Sequence, residues 1–220
     1  MSRFLLLILL IPVLGTMSSC LGVNADIAIN SNNSGTLTLE YRISGLLDSL
    51  GRLDGNEGYP PLPVGRTDME RTADRIPGIR LLSHRSRSSG RDTVVTAKLE
   101  FSEIEALLLF FDAAGQKAVF ASDGNSQKIT FTLTNGNNDN RNQNQDLASL
   151  IRQVSAGYRV SITMNLPSAG QVAFLDNEGT LSRTGFNGME LVPSGRRVSC
   201  SLPLESIFFA DNGIKAEFAW

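Results

Sequence analysis

The chain is poor in the residues that build metal and nucleophile sites, with one His and two Cys among 220 residues. That leaves too few ligands for a zinc centre and no pattern for a disulfide scaffold. An excess of one charge is missing too. Twenty Lys and Arg stand against 22 Asp and Glu, a formal net charge of −2. A nucleic-acid surface needs a clustered positive excess, so that class of partner is not expected. No Gly-x-Ser-x-Gly elbow occurs anywhere, which removes the most recognisable serine-hydrolase arrangement. Beyond the amino terminus no apolar run approaches the roughly eighteen residues of a spanning helix. Apolar residues are nevertheless 41% of the chain, too many for a disordered polymer and enough for one generous domain.

The amino terminus holds the one sustained apolar run. Met1-Ser2-Arg3 is a short positive region, and Phe4 to Leu14 is almost wholly apolar. As a helix that run rises only about 16 Å, half of a bilayer core of roughly 30 Å. A secretory signal is therefore the expected reading. Gly15-Thr16-Met17-Ser18-Ser19-Cys20 resembles the lipobox of bacterial lipoproteins, in a looser form found among spirochaetes. The resemblance implies that the Cys20 thiol takes a diacylglyceryl group and becomes the new amino terminus. Residues 1–19 are then a signal peptide, 20–25 a lipidated tether, and 26–220 a single extracytoplasmic domain. Loss of Arg3 leaves the mature side chains at −3. Cys200, in the alternating Val198-Ser199-Cys200-Ser201-Leu202, is left as the only free thiol and is expected to pack in the core.

Alternation predicts the architecture. Ile27 and Ile29 share a face, Asn30 to Gly35 turns the chain, and Leu37, Leu39, Tyr41 and Ile43 point one way, a hairpin with one wet face. Leu50 to Gly65, with Tyr59-Pro60-Pro61-Leu62-Pro63, reads as a surface loop. Thr67-Asp68-Met69-Glu70 reads as a capping box opening a helix that Pro77-Gly78 stops. Ile79 to Leu82 begins a strand, Ser83 to Gly90 reads as a polar hairpin turn, and Arg91 to Phe101 returns with Val95, Ala97, Leu99 and Phe101 inward. A second capping box at Ser102-Glu103-Ile104-Glu105 opens a helix carrying Ile104, Leu107, Leu108 and Phe111, stopped by Gly115. A further hairpin joins Ala118–Ser122 to Lys128–Thr134, and Leu147, Leu150, Ile151 and Val154 mark another helix ending at Gly157. A strand from Tyr158 is expected to stop at Pro167, and Ile214, Ala216, Phe218 and Trp220 alternate at the end of the sequence. The terminal aromatic is of the kind that ends outer-membrane barrels, but amphipathic helices within the pattern speak against a barrel. The expected class is α+β, an antiparallel β-sheet with two or three helices packed on one face.

The order of features resembles a known family. After the lipobox Cys come a polar-turned hairpin, a helix, and a strand pair ending in an aromatic residue before a helix, Leu99-Glu100-Phe101-Ser102-Glu103-Ile104-Glu105. Asn165-Leu166-Pro167, the Asp176 to Gly179 stretch and Leu202-Pro203-Leu204-Glu205 follow. This resembles the LppM-like domain of bacterial surface lipoproteins and, more loosely, envelope lipoproteins of spirochaetes. The resemblance implies a non-enzymatic α+β module of the cell envelope, with lipid or glycolipid binding proposed for some members and Cys20 its one site residue; no catalytic residue, metal or cofactor is expected.

Among candidate sites the arginines stand out. Arg75, Arg80, Arg85, Arg87 and Arg91 have no Asp or Glu between them. Arginine suits bidentate phosphate contact, so Arg80, Arg85, Arg87 and Arg91 are candidates for anionic head-group contact; the alternative is a solvated hairpin tip that keeps a sheet edge from pairing. His84 lies among serines but lacks a paired nucleophile and carboxylate. Asn135, Asn137, Asp139 and Asp146 fall at calcium-loop spacing, but Asn140 replaces the turn glycine and Arg141 adds a positive charge, so a polar linker is expected. Asp176/Glu178 and Glu103/Glu105 are close carboxylates without a third acid. The expected function is a membrane-anchored lipoprotein binding lipid or envelope proteins, with a purely structural surface protein or a hydrolase with dispersed residues as alternatives.

Overall fold

In the computed structural model, residues 22–44, 63–90, 92–112, 117–124, 126–136, 149, 152, 155–179, 181–182 and 188–220 are described. Cys20, Arg91, most of the 50–65 loop, Gly115, the calcium-like stretch beyond Gly136 and most of the 147–154 helix lie outside them. The elements are β1 (Val23–Ile29), β2 (Gly35–Ser44), α1 (Arg66–Asp74), β3 (Ile79–Ser89), β4 (Asp92–Phe101), α2 (Ile104–Phe111), β5 (Ala118–Ser122) and β6 (Gln127–Thr134). Then come β7 (Arg159–Leu175), β8 (Leu181–Ser182), β9 (Glu190–Val192), β10 (Ser194–Pro203), α3 (Leu204–Phe209) and β11 (Ile214–Ala219).

The class is α+β, but the sheet is mixed rather than antiparallel. Strand β1 pairs antiparallel with β2 and parallel with β7, Val23 facing Val160 and Ala28 facing Asn165. The hairpin alternation could not disclose this, because β1 takes its second partner from far along the chain. Val23–Ala25, read as tether, already belong to β1.

Strand β7 organises everything else. One of its edges carries β10 from Arg159 to Gln171 and reaches β8 at its end. The other edge carries β1 from Val160 to Asn165, then β11 from Gln171 to Leu175. Two wings, β1-β2-β4-β3 and β11-β6-β5, thus hang from one edge of a single strand. The sheet curls so that their apolar faces join one core, containing Ile27, Leu37, Leu99, Phe101, Met164, Phe174 and Phe218. Met69 and Ala73 of α1 and Ile104, Ala106 and Leu107 of α2 enter the same core, and Ile207 of α3 packs on it.

Pro167 does not stop β7. Pairing with β1 ends at Asn165, and the β10 register jumps from Arg197↔Asn165 to Gly195↔Gly170. No ladder bond is required of the proline nitrogen in the gap, so the strand bends there and continues.

Neither capping box forms. Gly65 precedes α1 and Glu103 precedes α2, each without a side-chain cap bond. Glu70 instead accepts from Arg66 Nε at 2.7 Å, and the Ser102 N–H donates to the Gly78 carbonyl. Gly78, at φ 85°, makes the turn into β3.

The α2–β5 connection rests on a buried carboxylate. Asp112 is 8% exposed and accepts from the backbone N–H of Lys117 and, at 3.1 Å, of Ala118. Asp112→Ala leaves those donors unpaired and is expected to cost about 1–3 kcal/mol. Urea unfolding would measure it, with Asp112→Asn recovering part of the loss.

Candidate functional site

The arginine-rich stretch is a strand, not a turn. β3 runs to Ser89 and the reversal falls at Gly90, where φ is 66°. Six of the seven side chains from Leu82 to Ser88, all but His84, are exposed because β3 is the edge strand of its wing. With only one neighbour it buries little, so Ser and Arg suffice where an inner strand needs apolar residues. A register shift between Leu81 and Ser83 leaves Leu82 without a ladder partner, and puts Ser83, Arg85 and Arg87 opposite Lys98, Thr96 and Val94.

That register separates the arginines. Arg80 faces Glu100, and its guanidinium donates to that carboxylate at 2.6 and 3.1 Å. The carboxylate absent from the local sequence is thus supplied across the ladder, and Arg80 leaves the candidate set of free cations. Arg85 faces Thr96 and Arg87 faces Val94, on the outer side of the sheet. Among the described residues neither side chain has a hydrogen bond or ion pair, and both are exposed. His84 lies on the other side of β3 opposite Ala97, and its Nε2 is buried without a partner among the described residues.

The strand register also shows where this pair sits relative to the chain's first described residue. The Arg42 N–H donates to the Gly22 carbonyl, Arg42 faces Val94, and Val94 faces Arg87. Gly22, Arg42, Val94 and Arg87 therefore form one row across four strands, three steps of about 4.8 Å. Gly22 itself is pressed against β7: a Cβ there would overlap the Arg159 carbonyl, so only glycine allows this approach.

Other groups on this end pair with one another, although Arg42 Nε is buried without a partner among the described residues. Arg42 pairs with Asp92 at 3.1 Å. Tyr158 donates to Asp92, and burial, with the Asp92 charge, raises its pKa. Arg159 donates to Ser201 Oγ at 2.8 Å and pairs with Glu190 at 3.3 Å, and Arg152 approaches Glu205 at 3.9 Å. Sequence reasoning missed Arg42, Arg159 and Tyr158 as members of one end of the sheet. Alternation put Arg42 on the wet face of its hairpin and Tyr158 in line with Val160 and Ile162, and only the strand order brings the three together.

Elsewhere the outer face is a polar platform. Asn24, Asp26, Thr38, Glu40, Ser161 and Thr163 line a hollow of 260 Å³. Asp26 is held by Asn165 at 2.9 Å and Arg197 at 3.0 Å. A larger hollow of 370 Å³ lies between Gln171, Pro193 and Glu217, and one of 280 Å³ between Lys117, Leu133 and Phe208. None of the three is lined by His84, Arg85 or Arg87. Among the described residues no three His, Cys, Asp or Glu side chains gather to hold a metal.

Cys200 is 1% exposed, faces Ile162 and Leu191, and burial pushes its thiol up to about 12. A neutral, enclosed thiol of this kind is a packing residue. Trp220 stacks on Phe120 at 6.4 Å between ring centroids. No described helix is long and apolar enough to cross a membrane.

No protein-family model matches the chain, and no curated protein does. Among solved structures the chain is similar to the folded domain of Mycobacterium tuberculosis LppM, determined by NMR. The TM-score is 0.40 and the identity 16%, covering 90% of this chain and 88% of that one.

Proposed function

We propose that this protein is a lipid-anchored component of the bacterial cell envelope whose folded part is a non-enzymatic domain that binds lipid or envelope partners. One observation carries the reading: β1 begins at Val23, three positions after the lipobox cysteine. An acyl group on Cys20 would reach the sheet through a link of at most about 11 Å. Acyl chains contribute about 0.8 kcal/mol per buried CH₂, and two or three hold a domain at a bilayer. The non-enzymatic part of the reading is supported by dispersal. His84 faces inward on β3, Glu103 and Glu105 flank the start of α2, and Asp176 and Glu178 occupy a turn whose Gly179 N–H bonds the Asp176 carbonyl.

The test is direct. Cells expressing the chain and fed labelled palmitate should yield a labelled, membrane-bound protein, and Cys20→Ala should abolish both the label and the membrane fraction. A Cys20→Ala protein that stays membrane-bound without label would refute the anchor. Mass spectrometry of the purified Cys20→Ser chain lacking residues 1–19 then asks about the folded part: a stoichiometric lipid supports lipid binding, and its absence favours a structural role.

A further inference from the structure

We infer that the end of the sheet carrying Arg85 and Arg87 docks on an anionic phospholipid surface, fixing the orientation of the folded part on its membrane. The inference rests on the anchor proposed above and adds which face meets the lipid.

Three observations converge. The first is position. Gly22, two residues from Cys20, lies in the same cross-strand row as Arg87. An anchor at Cys20 therefore brings this end of β1, β2, β3 and β4 to the bilayer, with Arg87 about 15 Å along the row. The second is surplus charge. Three acids at this end have cationic partners, Asp92 in Arg42, Glu190 in Arg159 and Glu205 in Arg152. Glu40, in the Arg85 row, is bound only by Thr96 Oγ1 among the described residues, one carboxylate against two arginines and Lys98. Arg85 and Arg87 are left over, with Lys98 one row behind Arg85 on the same face.

The third is the opposite end. There Asp74, Glu103 and Glu105 have no ion pair or hydrogen bond to their side chains among the described residues, against the single unpaired cation Arg75. Seven residues of β1 separate the two ends, roughly 23 Å, which is nearly three Debye lengths at physiological salt. An anionic surface at the Gly22 end thus attracts the arginines and barely feels the distant carboxylates. A self-paired β3–β3 dimer would set Arg85 and Arg87 against themselves, so a second copy is the poorer occupant of this edge.

The experiment uses acylated protein purified from membranes and reconstituted on vesicles of phosphatidylglycerol and phosphatidylcholine carrying a head-group quencher. A fluorophore is placed at Ser88→Cys, near Arg87, or at Ser31→Cys, in the far β1–β2 turn; Cys200 is buried and stays unlabelled. Strong quenching at position 88 and little at 31 is expected. In Arg85→Gln/Arg87→Gln that contrast should disappear, as it should in pure phosphatidylcholine. Without the acyl chains, the same double variant should bind phosphatidylglycerol vesicles about thirtyfold more weakly, near fivefold per arginine. Equal quenching at both positions, or a contrast that survives the double variant, overturns the orientation while leaving the anchor standing. Protein that does not remain on vesicles through Cys20 overturns the anchor, and the orientation with it.

Discussion

Phe218→Ala is expected to lower the free energy of unfolding by about 3–5 kcal/mol. Phe218 is fully buried on β11, between Ile129 of β6 and Val172 of β7. Its ring meets Phe131 edge-to-face at 6.1 Å, and Phe131 in turn meets Phe111 of α2 at 5.5 Å. The substitution therefore opens a cavity and cuts the aromatic chain that ties α2 to the sheet. Position multiplies the effect, because β11 is the strand through which β6 and β5 reach β7. Thermal denaturation should show a midpoint lowered by roughly 10 °C for a chain of this size. Phe208→Ala, at a side chain 37% exposed on α3, should cost less than half as much. Equal losses at the two positions would mean that the β11 wing is not held as described.

The alternating segments were the legible part of this fold. Val95, Ala97, Leu99 and Phe101 are all buried, as their period of two requires, and so are Ile129, Phe131, Ala216 and Phe218. A strand with one wet face writes its burial into its own residues. What it cannot write is its neighbour. The parallel match of β1 to β7 depends on residues more than a hundred positions apart, and Ile27 would look the same beside any strand.

Two local readings failed for a shared reason. Ser83 to Ser89 has poor strand propensity, and Pro167 cannot donate to a ladder, so each was expected to break the sheet. Both sit where the sheet asks little of them: β3 has one partner, and the β7–β10 ladder skips the residues around Pro167. Helix caps failed differently. The Thr67–Glu70 pattern falls inside a real helix and Ser102–Glu105 straddles the start of another, but Glu70 answers to Arg66 and the Ser102 N–H to Gly78. A neighbour one turn back in the same helix takes the first, and a tertiary contact takes the second.

The candidate site was half legible for the same reason. The run of arginines without intervening acids was visible, but its neutralisation was not. Glu100 reaches Arg80 from the next strand, while Arg85 and Arg87 meet only Thr96 and Val94. Local charge counting therefore overstated the cluster by one member. The nearness of Arg87 to Gly22 was invisible in sequence, because it passes through β2 and β4.

Native Cys200 is expected to react with a thiol reagent at pH 8 about 10³-fold more slowly than in the unfolded chain. The thiolate is the reacting species. Burial raises the Cys200 pKa from 9.0 to about 12, which lowers the thiolate fraction at pH 8 by that factor. Its 1% exposure should slow the reagent further. The measurement uses the Cys20→Ser chain lacking residues 1–19, so that one thiol remains, and compares native protein with protein in denaturant. The same shift has a stability consequence of definite sign. The folded chain keeps a proton that the unfolded chain releases above pH 9, so folding is increasingly opposed as pH rises from 9 toward 12. Below pH 9 that stability is fully present. Cys200→Ala should flatten this part of the profile, and a thiol that reacts at the unfolded rate in native buffer would place Cys200 outside the core.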